Sequence, residues 1–109
     1  MTVEIKKNVA TTVYIHTEKT SWALFVYDID GNIFLQSDWG SYTHRFRGFG
    51  NDIEEFLKCL SVEYFVGKLS MQDVNQTRTT KQQKEILALL TGHFIQALKD
   101  NFIVVINDK

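Results

Sequence analysis

The 109-residue chain has no proline, one cysteine, a net charge of −1 and no long apolar run, and each shortage excludes something. Average usage of about 5% would supply about five prolines at this length. Without them the turns fall to glycine, Asn, Asp and Ser. Cys59 stands alone and closes no internal disulfide, so nothing points to an oxidising compartment. Twelve basic residues against thirteen acidic ones argue against a dedicated nucleic-acid binder, whose affinity comes from displacing counterions around phosphates. A local basic patch stays open. No stretch approaches the roughly 20 apolar residues of a membrane span. The opening Met-Thr-Val-Glu-Ile-Lys-Lys has no apolar leader segment. The expectation is a cytoplasmic protein away from the membrane. G-x-S-x-G, H-E-x-x-H and phosphate-cradling glycine loops are all missing. No catalytic residue, metal or cofactor is expected, and the chain is read as a non-enzyme.

What is present suits one globular domain spanning residues 1–109. A composition 44% hydrophobic and 23% charged is far from that of a disordered chain. Aromatics are abundant, with eight Phe, four Tyr and two Trp. At roughly 150–250 Å² buried per ring they can fill a small core. Rings beyond the capacity of that core would lie on the surface and mark a binding face.

The first half reads as strands. Residues 9–16 are β-branched and alternate, with Val9, Thr11, Val13 and Ile15 on one face. Residues 17–20 form a polar turn. Residues 22–28 are apolar on both faces, the pattern of a central strand covered on each side. Asp30-Gly31-Asn32 is a hairpin signal, with residues 33–37 as the return strand. Asp38-Trp39-Gly40-Ser41 makes a second tight turn before a fourth strand over residues 42–47. Short connections favour an antiparallel meander.

The second half reads as helices. Asn51 is placed to cap the first, with Glu54 as the return half of a capping box and Ile53, Phe56, Leu57 and Leu60 at helical spacing. Ser61 caps a second short helix over residues 62–69. Residues 70–79 read as a linker. Thr80 with Gln83 opens the longest helix, to about Asp100, with Ile86, Leu87, Leu90, Phe94, Ile95 and Leu98 as its apolar stripe. Residues 102–106 are a candidate fifth strand or a helix extension, with a strand favoured and Asn101 suited to the C′ position. Strands first and helices after give an α+β fold, an antiparallel meander with helices packed on one face.

Few side chains suggest chemistry. Asp28-Ile29-Asp30-Gly31-Asn32 resembles the start of a calcium loop, but the twelfth position, where a bidentate Glu belongs, is Trp39. A hairpin turn is the better reading. His16, His44 and His93 lack zinc spacing, and Cys59 has no local base, so it reads as a buried or half-buried structural thiol. Residues 37–47 are the most informative. On a strand, Tyr42, His44 and Phe46 share one face and Thr43, Arg45 and Arg47 the other. Trp, Tyr and Arg dominate binding hot spots, because they join large contact area to polar reach. Trp39, Tyr42, His44, Arg45 and Arg47 are therefore the candidate partner-binding residues, with Trp39, at a turn tip, the first choice for an exposed ring. The plainer alternative packs Tyr42 and Phe46 under the helices, leaves the arginines to pair with Asp52, Glu54 or Glu55, and uses Asp38 for a local bond to the turn backbone.

Asp38-Trp39-Gly40-Ser41-Tyr42, the arginine-bearing strand, Gly50, Phe56-Leu57, Leu60, Tyr64 and Gly67-Lys68-Leu69 follow a D-[YW]-G-x-[YW] … F-L-x-x-L … Y-x-x-x-K-L pattern. This resembles a group of small uncharacterised phage and prophage proteins, over about residues 20–70. The resemblance implies a phage-encoded protein in the cytoplasm of an infected bacterium. Small phage accessory proteins frequently bind host proteins, and anti-CRISPR or other anti-defence inhibitors are one such class.

The first functional expectation is accordingly an interaction protein that occludes a host protein, with a homodimer as one form it can take. A second is a single-stranded nucleic-acid-binding module in which bases stack on exposed sheet rings while Arg45, Arg47, Lys58 and Lys68 meet phosphates. A third is a small-molecule binder that sequesters a nucleotide signal, which requires a pocket with converging polar groups.

Overall fold

A computed structural model of the chain describes residues 1–5, 7, 9–17, 21–71 and 81–100. Four strands come first: β1 (Ala10–Thr17), β2 (Ser21–Asp28), β3 (Asn32–Ser37) and β4 (Gly40–Arg45). Helices α1 (Ile53–Lys58) and α2 (Val62–Lys68), a two-residue strand β5 (Ser70–Met71) and the long helix α3 (Lys81–Asp100) follow. The sheet is antiparallel throughout in the order β1-β2-β3-β4-β5. The expected α+β meander with helices behind it is the fold.

Both tight turns use one recipe, a side-chain acceptor at the first position and glycine at the fourth. Asp28 Oδ1 accepts from the backbone N–H of Asp30 and of Asn32 (3.0 and 3.1 Å), while Oδ2 accepts from the Asn32 side-chain amide (3.0 Å). Gly31 has φ +87°, and its carbonyl accepts from Phe46 N–H at 2.9 Å. The Asp-Gly segment is thus a knotted hairpin turn. In the second turn the local bond comes from Ser37 and not from Asp38. Ser37 Oγ accepts from Trp39 N–H (3.1 Å) and donates to the Gly40 carbonyl (2.8 Å).

The core lies between one sheet face and the helices. Ile15, Ala23, Phe25, Tyr27, Ile33, Leu35 and Tyr42 supply the sheet side, and Leu57, Phe65, Leu87, Leu90, Phe94 and Leu98 the helix side. The Phe25 and Phe94 rings stack at 4.2 Å with planes 4° apart, and Phe65 sits against both. Of its expected apolar stripe the last helix buries Leu87, Leu90, Phe94, Ile95 and Leu98, together with Thr91, while Ile86 is half-buried.

Several local expectations are corrected. Asp52 caps α1, accepting from the N–H groups of Glu54 and Glu55 at 3.1 Å, in the place given to Asn51. Glu54 is drawn away from a capping box because its carboxylate accepts from the Tyr27 hydroxyl at 3.0 Å. Ser61 caps α2 as expected. The fifth strand is Ser70–Met71, inside the expected linker, where it pairs with Tyr42 and Thr43. Residues 102–106, Asn101, Thr80 and most of the 17–20 turn lie outside the described residues. Cys59 is exposed, not buried. The reading of β2 as covered on both sides also fails. Ala23, Phe25 and Tyr27 are buried, whereas Trp22, Leu24 and Val26 on the opposite face are exposed or half-buried.

Candidate functional site

Alternation along the strands separates the five expected contact residues. Tyr42 is 1% exposed, facing the helices. Its hydroxyl donates to the Trp39 carbonyl at 2.6 Å. A partner docking on the folded surface cannot reach this ring. His44 shares that face and is half-buried edge-on against Phe46 at 4.6 Å. Burial, and then the nearby Lys68 charge, hold its pKa below the usual histidine value. Trp39 is half-buried, not the exposed ring expected of it. Its carbonyl also accepts from the Gln83 side chain of α3 at 3.3 Å, which ties the hairpin tip to that helix.

Arg45 is exposed on the outer face, with its Nε donating to the Asp30 carbonyl at 3.4 Å. Arg47 is exposed beyond the end of β4, so it does not continue the Thr43 and Arg45 row. Glu54 and Glu55, offered as partners for these arginines, lie beside Lys58 instead, at 4.0 and 3.0 Å.

The structure assembles a site that the sequence reading passed over, on the sheet face turned away from the helices. Trp22, Leu24 and Val26 form a row along β2. Tyr14 of β1 stands opposite Leu24, and Phe34 of β3 stands opposite Val26. Tyr14, Trp22 and Phe34 are 60%, 36% and 48% exposed. At roughly 150–250 Å² per ring these three alone present about 300 Å² of aromatic surface. A patch of that size matches the largest apolar patch of a typical monomer, which is often a contact surface. Beside it an open trough of about 310 Å³ runs along Leu24, Val26, Phe34, Gln36, Ser41 and Thr43. The patch centre carries no charge, with Arg45 and Asp28 at one margin and His16 at another. The legible signal was the even-numbered alternation of Trp22, Leu24 and Val26, continued by Tyr14 and Phe34.

The cations invoked for phosphate contacts do not converge on these rings. Lys58 belongs to α1, and Lys68 lies over the Tyr64 ring of α2 at 5.3 Å, both in the helix layer behind the sheet. A second hollow, of about 200 Å³, has Asp28, Asp52 and Glu54 on its wall. All three carboxylates are engaged, in the first hairpin turn, the α1 cap and the Tyr27 bond. Among the described residues no three His, Cys, Asp or Glu side chains come together as metal ligands, and no helix is long and apolar enough to cross a membrane.

No curated protein matches the chain, and no solved structure does. A protein family does match, over residues 3–99, a span that takes in the whole meander and all three helices almost to their end. It is described as a phage family, Phage_phiTE_072, and the chain belongs to it.

Proposed function

We propose that this phage-family protein works by docking on a host bacterial protein and occluding it, in the manner of an anti-CRISPR or other anti-defence inhibitor. The contact surface is the open sheet face and not the turn and strand around Trp39 and Tyr42. What supports the reading is the uncharged aromatic patch of Tyr14, Trp22 and Phe34, lying beside a trough that a partner side chain could fill. Interface centres are depleted in charge and enriched in aromatic rings, with charged groups at the rim. Arg45 stands at that rim. The same chemistry disfavours a phosphate backbone, which needs several cations on the face that holds the rings.

The test immobilises the wild-type protein and a Trp22→Thr/Phe34→Ser variant, and exposes both to lysate of the host bacterium. Equal melting temperatures and circular dichroism first establish that both are folded. A host protein held by the wild type, lost by the variant and bound again when purified supports the reading. Identical retention by both proteins rejects the face. Retention of single-stranded nucleic acid alone, falling steeply with salt, rejects the protein partner.

A further inference from the structure

The two edges of the sheet are built differently. On the β4 side, β5 covers Tyr42 and Thr43, and Arg45 follows. Short edge strands and edge charges are the usual guards against pairing with another chain. On the other side β1 is eight residues long and, among the described residues, no strand pairs with its outer edge. Between Ala10 and Thr17 it has no proline, glycine, lysine, arginine, aspartate or glutamate. Among the described residues, the N–H and C=O groups that roughly half of β1 turns outward meet no pairing strand, and the strand itself carries no charge, proline or glycine to guard them. Such an edge is a template for strand addition.

We propose that β1 pairs antiparallel with β1 of a second copy, about a two-fold axis at Tyr14, joining the two sheets into one. The parity of the strand limits the register. For each face to continue across the join, residues of like parity must stand opposite one another, since a one-residue slip exchanges the faces. Pairing centred on Tyr14 meets this condition and sets Val13 against Ile15 of the second copy on the helix side. On the open side it sets Thr12 against His16 of the second copy and Tyr14 against its own counterpart. No pair brings two permanent charges together, and a ring stands opposite a ring at the axis. The interface is isologous and closes at two copies. Because the axis runs through the sheet, both aromatic patches face the same way and merge through the Tyr14 pair. This assembly is independent of the host partner proposed above, whose test uses Trp22 and Phe34.

The test measures mass in solution by light scattering across a concentration series. The expected result is a two-chain mass, twice the 12.7 kDa of one chain, for the wild type. Tyr14→Lys sets two ammonium groups opposite each other at the axis and should return a one-chain mass with the circular dichroism spectrum retained, since Tyr14 is exposed in the single chain. Register is read by cysteine crosslinking in a Cys59→Ser background, because Cys59 is itself exposed. Directly opposed residues bring their Cα atoms to about 4.5–5.5 Å, within disulfide range. Tyr14→Cys should form a disulfide-linked pair on mild oxidation. Thr12→Cys, about 13 Å from its own counterpart in this register, should not. A one-chain mass at every concentration overturns the proposal. So does a two-chain mass that survives Tyr14→Lys, or crosslinking that is equal at both positions.

Discussion

The Tyr42 hydroxyl donates to the backbone carbonyl of Trp39 at 2.6 Å, across the turn that joins β3 to β4. The bond satisfies the one polar atom of a side chain that is 1% exposed, so Tyr42 can sit in the core without an unpaired hydroxyl. Gln83 donates to the same oxygen, so removing the tyrosine hydroxyl leaves that carbonyl bonded. Tyr42→Phe should therefore cost only about 1 kcal/mol. In a domain this size that lowers the melting temperature by roughly 4–8 °C. Tyr42→Ala, which empties the core, should cost roughly 3–5 kcal/mol. Thermal melts of the two variants measure the difference.

Tyr27 provides a dependence on pH. Burial, and then its hydrogen bond to the Glu54 carboxylate, push its pKa from 10.0 up to about 12. Because the folded value lies above the unfolded one, the neutral phenol is the form that folding favours. Its contribution is fully present below pH 10 and disappears as the pH climbs from 10 through 12. A displacement of that size is worth on the order of 2–3 kcal/mol. Denaturant unfolding across this range should show stability falling, with a shallower fall in Tyr27→Phe. Ultraviolet titration of the folded protein should show that Tyr27 ionises later than a free tyrosine.

Two glycines with positive φ should respond differently to alanine. Gly31, at φ +87°, lies so close to the Phe46 carbonyl and the Phe49 ring that a Cβ there meets both. Gly48, at φ +69°, has open space around it. Gly48→Ala should cost about 1–2 kcal/mol, the conformational penalty alone. Gly31→Ala adds a clash with backbone that cannot move without breaking the turn, and should cost roughly 3 kcal/mol or more. Equilibrium unfolding of the two variants measures the gap.

The fold was largely legible because local signals agreed with the final packing. Alternation marked four strands, Gly31 and Gly40 marked the turns between the last three, and the stripe from Ile86 to Leu98 marked α3. Individual partners were less legible. Asn51 and Asp52 are both good caps, and which one serves depends on where Tyr27 draws Glu54, a contact 27 residues away in the chain. Strand β5 is two residues long and exists only through its pairing with Tyr42 and Thr43, so no local pattern announces it. The candidate site was misplaced for a related reason. Tyr42 and Arg45 belong to opposite faces, and only the position of the helices says which face is wet. An apolar β2 row reads the same whether it is covered or bare, so the pattern of Trp22, Leu24 and Val26 alone does not say that their face is open.

The most direct test of the account compares two ring substitutions on opposite sides of the molecule. Phe34 on the open sheet face and Tyr64 on α2 are equally exposed, both at 48%. Phe34→Ser and Tyr64→Ser should each leave the melting temperature nearly unchanged, and the affinity for the captured host protein should be measured for both. Docking through the sheet face predicts a loss of at least about tenfold for Phe34→Ser, roughly 1.4 kcal/mol or more, with Tyr64→Ser like the wild type. Loss of binding in Tyr64→Ser with Phe34→Ser unaffected would place the contact on the helix layer and contradict the account.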